Sequence, residues 1–146
     1  MELVRKLQPR AEVDLAALLR NDDTWATVAE AIGPFFHPGF ESVAPGLPGT
    51  EQVRVGLAGL RASWLGWMEP WTTYRTEITQ ALDAGDRVLL LTYDYGRREG
   101  VEQEIRVDGS AVWEVREGKV ARADFFAHRS EAFQAAGLQE QSHDVA

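Results

Sequence analysis

Through residues 101–115 apolar and charged positions alternate: Val101, Ile105, Val107, Ala111, Trp113 and Val115 share one parity, and Glu102, Glu104, Arg106, Asp108 and Glu114 the other. That is the period of a strand with one face buried. A strand of this length must bend, and Gly109 in its middle is placed for a bulge or kink. Its neighbours repeat the theme. Tyr74, Ile78 and Leu82 alternate with more polar positions, Asp83-Ala84-Gly85-Asp86 reads as a turn, and residues 88–95 have the content of a strand buried on both faces. Glu117-Gly118-Lys119 is another tight turn, and residues 120–127 form a closing strand. Long strands joined by short turns predict a strongly curved, mainly antiparallel sheet.

The first half has the other period. Val13, Ala16, Ala17 and Leu18 make one apolar helical stripe, and Asn21, Asp22 or Asp23 can cap a second helix over residues 24–32, ended by Gly33-Pro34. Residues 35–49 are rich in proline and glycine, which predicts a looped rim with a short strand near residues 40–43. Thr50 reads as the start of a third helix in which Val53, Leu57, Leu60, Trp64 and Trp67 form a broad aromatic face, closed by Pro70. Ser130 is placed to cap a short terminal helix carrying Ala132, Phe133 and Ala136, with Gly137 as its stop. The expected organisation is one α+β domain over residues 1–138 with a flexible tail over 139–146.

Composition narrows the function classes. A chain of 146 residues with 45% hydrophobic content can bury a real core. With 23 acidic against 15 basic residues and a formal charge of -8, it lacks the cations that would neutralise phosphates, so nucleic acid is not an expected partner. It has no cysteine and three scattered histidines, so no metal site, redox thiol or cofactor is expected. No run of about 18 apolar residues appears, and the amino terminus lacks the apolar core of a signal peptide, which predicts a cytoplasmic protein without a membrane partner.

Four phrases add a resemblance: FFHPGFESVAPG (residues 35–46), LDAGDRVLLL (82–91), VWEVREGKV (112–120) and FFAHRSEAFQAAGL (125–138). Together with the order of helices, lone strand, helix and long meandering strands, they resemble the SnoaL-like branch of the nuclear transport factor 2-like superfamily, to which ketosteroid isomerases and polyketide cyclases belong. The resemblance implies a cone-shaped fold: a curved mixed sheet wrapped around three N-terminal helices, with a short C-terminal helix. It also implies an apolar pocket whose few polar groups decide between catalysis and plain binding.

Asp94 is the first candidate for chemistry, because it shares parity with Val88, Leu90 and Thr92 in a stretch otherwise poor in charge. If that face lines the pocket, the carboxyl can act as acid or base; if the strand leaves the pocket there, Asp94 is a solvated end residue. Tyr74 shares a face with Ile78 and Leu82 and is expected to assist it or to be satisfied within the core. His37, in the FHPGF loop, is the third catalytic candidate, with a turn-packing role before Pro38 as its alternative. Trp64, Trp67, Phe36, Phe40, Phe125 and Trp25 are the expected ligand-binding residues. The epoxide-hydrolase pattern implied by the resemblance is departed from twice: Thr92 stands in its arginine's place, and Phe125 rather than Asp124 falls where its second acid belongs.

The expected partners are therefore a small apolar molecule and a second copy of the chain. A homodimer is expected from Leu89, Leu91, Tyr93 and Tyr95, which lie opposite the Asp94 face and are too apolar to be left in water; cover by the chain's own termini is the alternative that needs no partner. The functional expectation is a lyase, isomerase or cyclase acting on a mostly apolar compound, or a non-catalytic binding or dimerisation module on the same fold.

Overall fold

The computed structural model describes residues 1–44 and 52–140. Three helices come first: α1 (Glu2–Lys6), α2 (Leu15–Arg20) and α3 (Asp22–Ile32). A single 3-10 turn through Pro34 leads into β1 (Phe36–Ala44), followed by β2 (Gln52–Val55), α4 (Gly56–Met68), the long strands β3 (Thr73–Ala84), β4 (Arg87–Arg97), β5 (Ile105–Arg116) and β6 (Lys119–Phe126), and α5 (Arg129–Ala136). Among the described residues the strands form one mixed sheet in the order β2-β1-β6-β5-β4-β3, in which only β1 and β6 run parallel. The sheet does not close on itself.

Capping explains the helix starts. Asp14 accepts hydrogen bonds from the amides of Ala16 and Ala17 at the head of α2, and Asn21 does the same for Asp23 and Thr24 at the head of α3. The same Asp14 oxygen also accepts from the Tyr74 amide at 3.1 Å, which ties α2 to the start of β3. At the turn between β5 and β6 both Glu117 and Gly118 have positive φ, the twist that a two-residue hairpin requires.

Several sequence expectations are corrected. β1 begins at Phe36 rather than Phe40; its pairing with β6 shifts register between Phe36 and Glu41, where Pro38 has no amide to donate. Val53 belongs to β2 rather than to the helix, and both Val53 and Val55 are exposed. The chain turns into α4 at Gly56, which takes a φ of +76° that a side chain would disfavour. Thr50, the expected helix start, lies outside the described residues, as do residues 141–146 of the expected tail. β5 begins at Ile105, because residues 98–101 turn, the Val101 amide donating to the Arg98 carbonyl. Gly109 is not a bulge: it pairs in register with Thr92, and the irregularities fall between Ile78 and Gln80 and between Glu114 and Val115. α5 is preceded by His128 with no side-chain cap, and Ser130 lies within its first turn.

Both faces of β4 are covered, by different means. Val88 and Leu90 pack inward with Phe40, Leu60, Trp113 and Val120. Leu89 and Leu91 pack outward with Val112 against Ala132, Phe133 and Ala136 of α5. The terminal helix therefore covers the leucines that the sequence reading left for a second copy. Tyr93 and Tyr95 are half-buried beneath arginines, with Arg106 over the Tyr93 ring and Arg75 over the Tyr95 ring, each at 4.1 Å.

Candidate functional site

The inward face of β4 carries Leu90, Thr92 and Asp94 in strand alternation, and all three line a cavity of about 110 Å³ between the sheet and α4. Its walls are Trp64, Trp67, Trp113, Phe125 and Ala111, and Gln8 and Pro9 from the segment after α1 also reach it. Four of its polar residues, Tyr74, Thr76, Thr92 and Asp94, form one hydrogen-bonded cluster. Register brings them together: on β3, Thr76 lies opposite Asp94, and on β5, Gly109 lies opposite Thr92.

Asp94 accepts three hydroxyl hydrogen bonds. Tyr74 donates to Oδ2 at 2.6 Å, while Thr76 and Thr92 donate to Oδ1 at 2.6 and 2.9 Å. The Trp67 indole N–H donates to the Tyr74 hydroxyl oxygen at 2.7 Å, so a chain of hydrogen bonds runs from α4 through β3 to the carboxylate. Gly109 makes this cluster possible: a Cβ there would stand 3.0 Å from Asp94 Oδ2 and would collide with Thr92 Oγ1. Tyr74 is almost fully buried, and that burial, reinforced by the negative charge and hydrogen bond of Asp94, pushes its phenol well above the ordinary tyrosine range. The Trp67 donor opposes the rise only in part. The phenol thus stays protonated and acts as a fixed donor to the carboxylate.

Two further features define the electrostatics. Among the described residues lining the cavity there is no Lys, Arg or His, and Asp94 makes no ion pair. Among the described residues, the buried Trp113 indole N–H has no hydrogen-bond partner. Among the described residues no group of His, Asp and Glu side chains is arranged to hold a metal ion.

The structure brings Asp94, Tyr74, Trp64, Trp67 and Phe125 together at the cavity and places the other sequence candidates elsewhere. His37 lines a separate polar cleft on the outer face of the sheet, with Glu41, Arg87, Glu114, Arg122 and Asp124, and its Nδ1 accepts the Gly39 amide at 3.0 Å. That is the turn-packing role, on the side away from Asp94. Phe36 and Phe40 pack edge to face in the core, 4.8 Å between centroids, outside the cavity lining. Trp25 belongs to the cluster of Leu15, Leu19 and Trp71, with the Arg61 guanidinium over its ring. Asp124 points outward and pairs with Arg122 at 2.7 Å, while Phe125 points into the cavity.

Sequence reasoning missed Thr76 and Thr92 as donors to Asp94, and the link from Trp67 to Tyr74. Strand parity held the signal for the threonines, since Thr76 follows Tyr74 by two and Thr92 precedes Asp94 by two. The register that sets Thr76 against Asp94 depends on the irregularity after Ile78, which no local pattern announces.

The comparisons agree with this fold. The SnoaL-like domain matches residues 13–123, and the chain belongs to that family, within the SnoaL-like branch of the nuclear transport factor 2-like superfamily. No curated protein matches it in sequence. Among solved structures it is similar to an NTF2-like protein of unknown function from Burkholderia pseudomallei K96243, at 12% identity and a TM-score of 0.60 over 92% of this chain and 94% of that one. It is also similar to a SnoaL-like polyketide cyclase candidate from Jannaschia sp. CCS1, at 17% identity and a TM-score of 0.59, covering 95% and 92%. A third is a protein with a ketosteroid isomerase-like fold from Catenulispora acidiphila DSM 44928 in complex with trimethylamine, at 16% identity and a TM-score of 0.53, covering 90% and 95%. At these identities the likeness is one of fold. No helix among the described residues is long and apolar enough to cross a membrane.

Proposed function

We propose that the chain acts on a small, mostly apolar compound held in the cavity between α4 and the sheet, with Asp94 exchanging a proton with it in a lyase, isomerase or cyclase reaction. The observation that carries this reading is a carboxylate lining an apolar cavity, held by three hydroxyls and, among the described residues, by no cation. Oδ1 already accepts two hydrogen bonds and Oδ2 only one, so Oδ2 keeps an acceptor position for a ligand proton. Tyr74, Thr76 and Thr92 fix the carboxylate and steady its charge, while Trp64, Trp67 and Phe125 offer apolar surface to the ligand's hydrocarbon. The relative in complex with trimethylamine supports a small molecule as the occupant of such a fold.

The test is deuterium exchange next to the carbonyl of cyclohexanone in D2O, followed by NMR, with Asp94→Asn beside the parent. Exchange above the buffer rate that falls by about 100-fold or more in the Asn variant supports the reading. Exchange equal in both proteins contradicts it.

A second reading, a non-catalytic binding module, is favoured by one observation: the Tyr74 proton is already committed to Asp94 and is not free for a ligand carbonyl. Binding of cyclohexanone without exchange above buffer would select it. A homodimer is no longer called for by Leu89 and Leu91, which α5 covers; Tyr93, Tyr95 and the arginines over them are what that part of the face leaves for one. Light scattering at micromolar concentration distinguishes monomer mass from dimer mass.

A further inference from the structure

The electrostatics of the cavity say more about the compound than that it is apolar. An anion removed from water is held in proteins by a cation, a metal or several hydrogen bonds, because desolvation of an isolated charge costs several kcal/mol at the least. Asp94 has only neutral donors: three hydroxyls, with no Lys, Arg or His among the described residues lining the same cavity. The surrounding walls are the ring faces and edges of Trp64, Trp67, Trp113 and Phe125, and aromatic faces attract cations. The Oδ2 atom is the less occupied of the two carboxylate oxygens.

We infer that the compound taken by this cavity is a small protonated amine, whose N–H donates to Asp94 Oδ2 while its hydrocarbon lies among Trp64, Trp67 and Phe125. The inference rests on the cavity being the ligand site and deepens that reading by naming the substrate class. Size sets the scale of the hydrocarbon: a dry cavity of about 150 Å³ holds benzene, so the 110 Å³ here, partly open to solvent, takes most of one six-membered ring and leaves the rest at its mouth. An anionic ligand would meet Asp94 with no compensating cation among the described residues lining the cavity, and a neutral one would gain only an ordinary hydrogen bond from it.

Three probes of nearly one shape separate these cases: cyclohexylamine, cyclohexanol and cyclohexanecarboxylate, titrated calorimetrically and by tryptophan fluorescence at neutral pH. The unmodified protein should bind the amine about tenfold or more tighter than the alcohol, the gain expected of a charge-assisted over a neutral hydrogen bond. The carboxylate probe should not bind. In Asp94→Asn, the amine should lose about tenfold or more and fall to the level of the alcohol, whose affinity should stay unchanged. Alcohol and amine binding equally to the unmodified protein would overturn the inference and leave the cavity as a ligand site. Failure of all three probes to give saturable binding would remove the ligand site and the inference together. Because the decisive comparison uses the unmodified protein, it stands even if the Asn variant fails to fold.

Discussion

The two faces of this sheet treat carboxylates in opposite ways. On the outer face every acid in the cleft beside His37 has an arginine: Glu41 and Asp124 share Arg122, and Glu114 lies between Arg87 and Arg116. On the inner face Asp94 is surrounded by aromatic rings and answered only by hydroxyls. Water can screen the outer charges, and their pairs cancel locally; inside, the half-buried Asp94 has hydroxyl donors but no paired cation among the described residues. The difference teaches that the outer cleft, though larger at about 380 Å³, is electrically settled, whereas the inner one keeps an anion in reserve.

Substitutions can break or sharpen that contrast. The largest effects belong to β4, whose two faces are both core. Leu90→Ala on the inner side and Leu89→Ala on the outer side should each cost about 2 to 5 kcal/mol in chemical denaturation. The Leu89 loss should be independent of protein concentration, since α5 covers that residue; a loss that shrinks as concentration rises would mean a second copy covers it instead.

Next is Tyr74→Phe, which removes the donor to Asp94 Oδ2 and the acceptor of the Trp67 N–H. It should cost about 1.5 to 3 kcal/mol, the range of a hydrogen bond to a charged group. The parent and the variant should also differ in alkali. The folded phenol titrates above the unfolded one, so its contribution is complete below about pH 10 and is lost as the pH rises beyond that value. The Phe variant should lack this alkaline component in a pH series of unfolding curves. An identical alkaline slope in both proteins would mean that Tyr74 is not held as described.

The smallest effect is expected outside. Arg122→Ala unpairs Glu41 and Asp124, yet the arginine is partly exposed and water can take its place, so stability should change by no more than about 1 kcal/mol. Amine binding in the inner cavity should not change at all. A larger response would show that the two faces are coupled through β6.

Much of this contrast was legible in the sequence. The period-two runs gave the long strands, the Asp83–Asp86 and Glu117–Lys119 turns joined them, and the parity of Leu90, Thr92 and Asp94 placed the carboxyl on the inner face. What failed depended on contacts between segments distant in sequence. His37 looked like a rim residue because it sits among phenylalanines, but Phe36 and Phe40 turn inward on β1 while His37 turns outward. Trp25 looked like pocket wall by type alone, and α3 carries it into a separate cluster. The covering of Leu89 and Leu91 could not be read from β4, whose apolar outer face fits a partner helix and a partner subunit equally well until α5 is placed on it.

The indole N–H signals of the five tryptophans, followed by two-dimensional 15N NMR as cyclohexylamine is added, test the central claim most directly. Trp64, Trp67 and Trp113 line the inner cavity, and Trp25 and Trp71 do not, so the protein carries its own internal control. The account predicts saturable shifts at the first three, with Trp67 moving as its hydrogen bond to Tyr74 adjusts, and little change at Trp25. Shifts confined to Trp25 and Trp71, or none at any of the five, would contradict it.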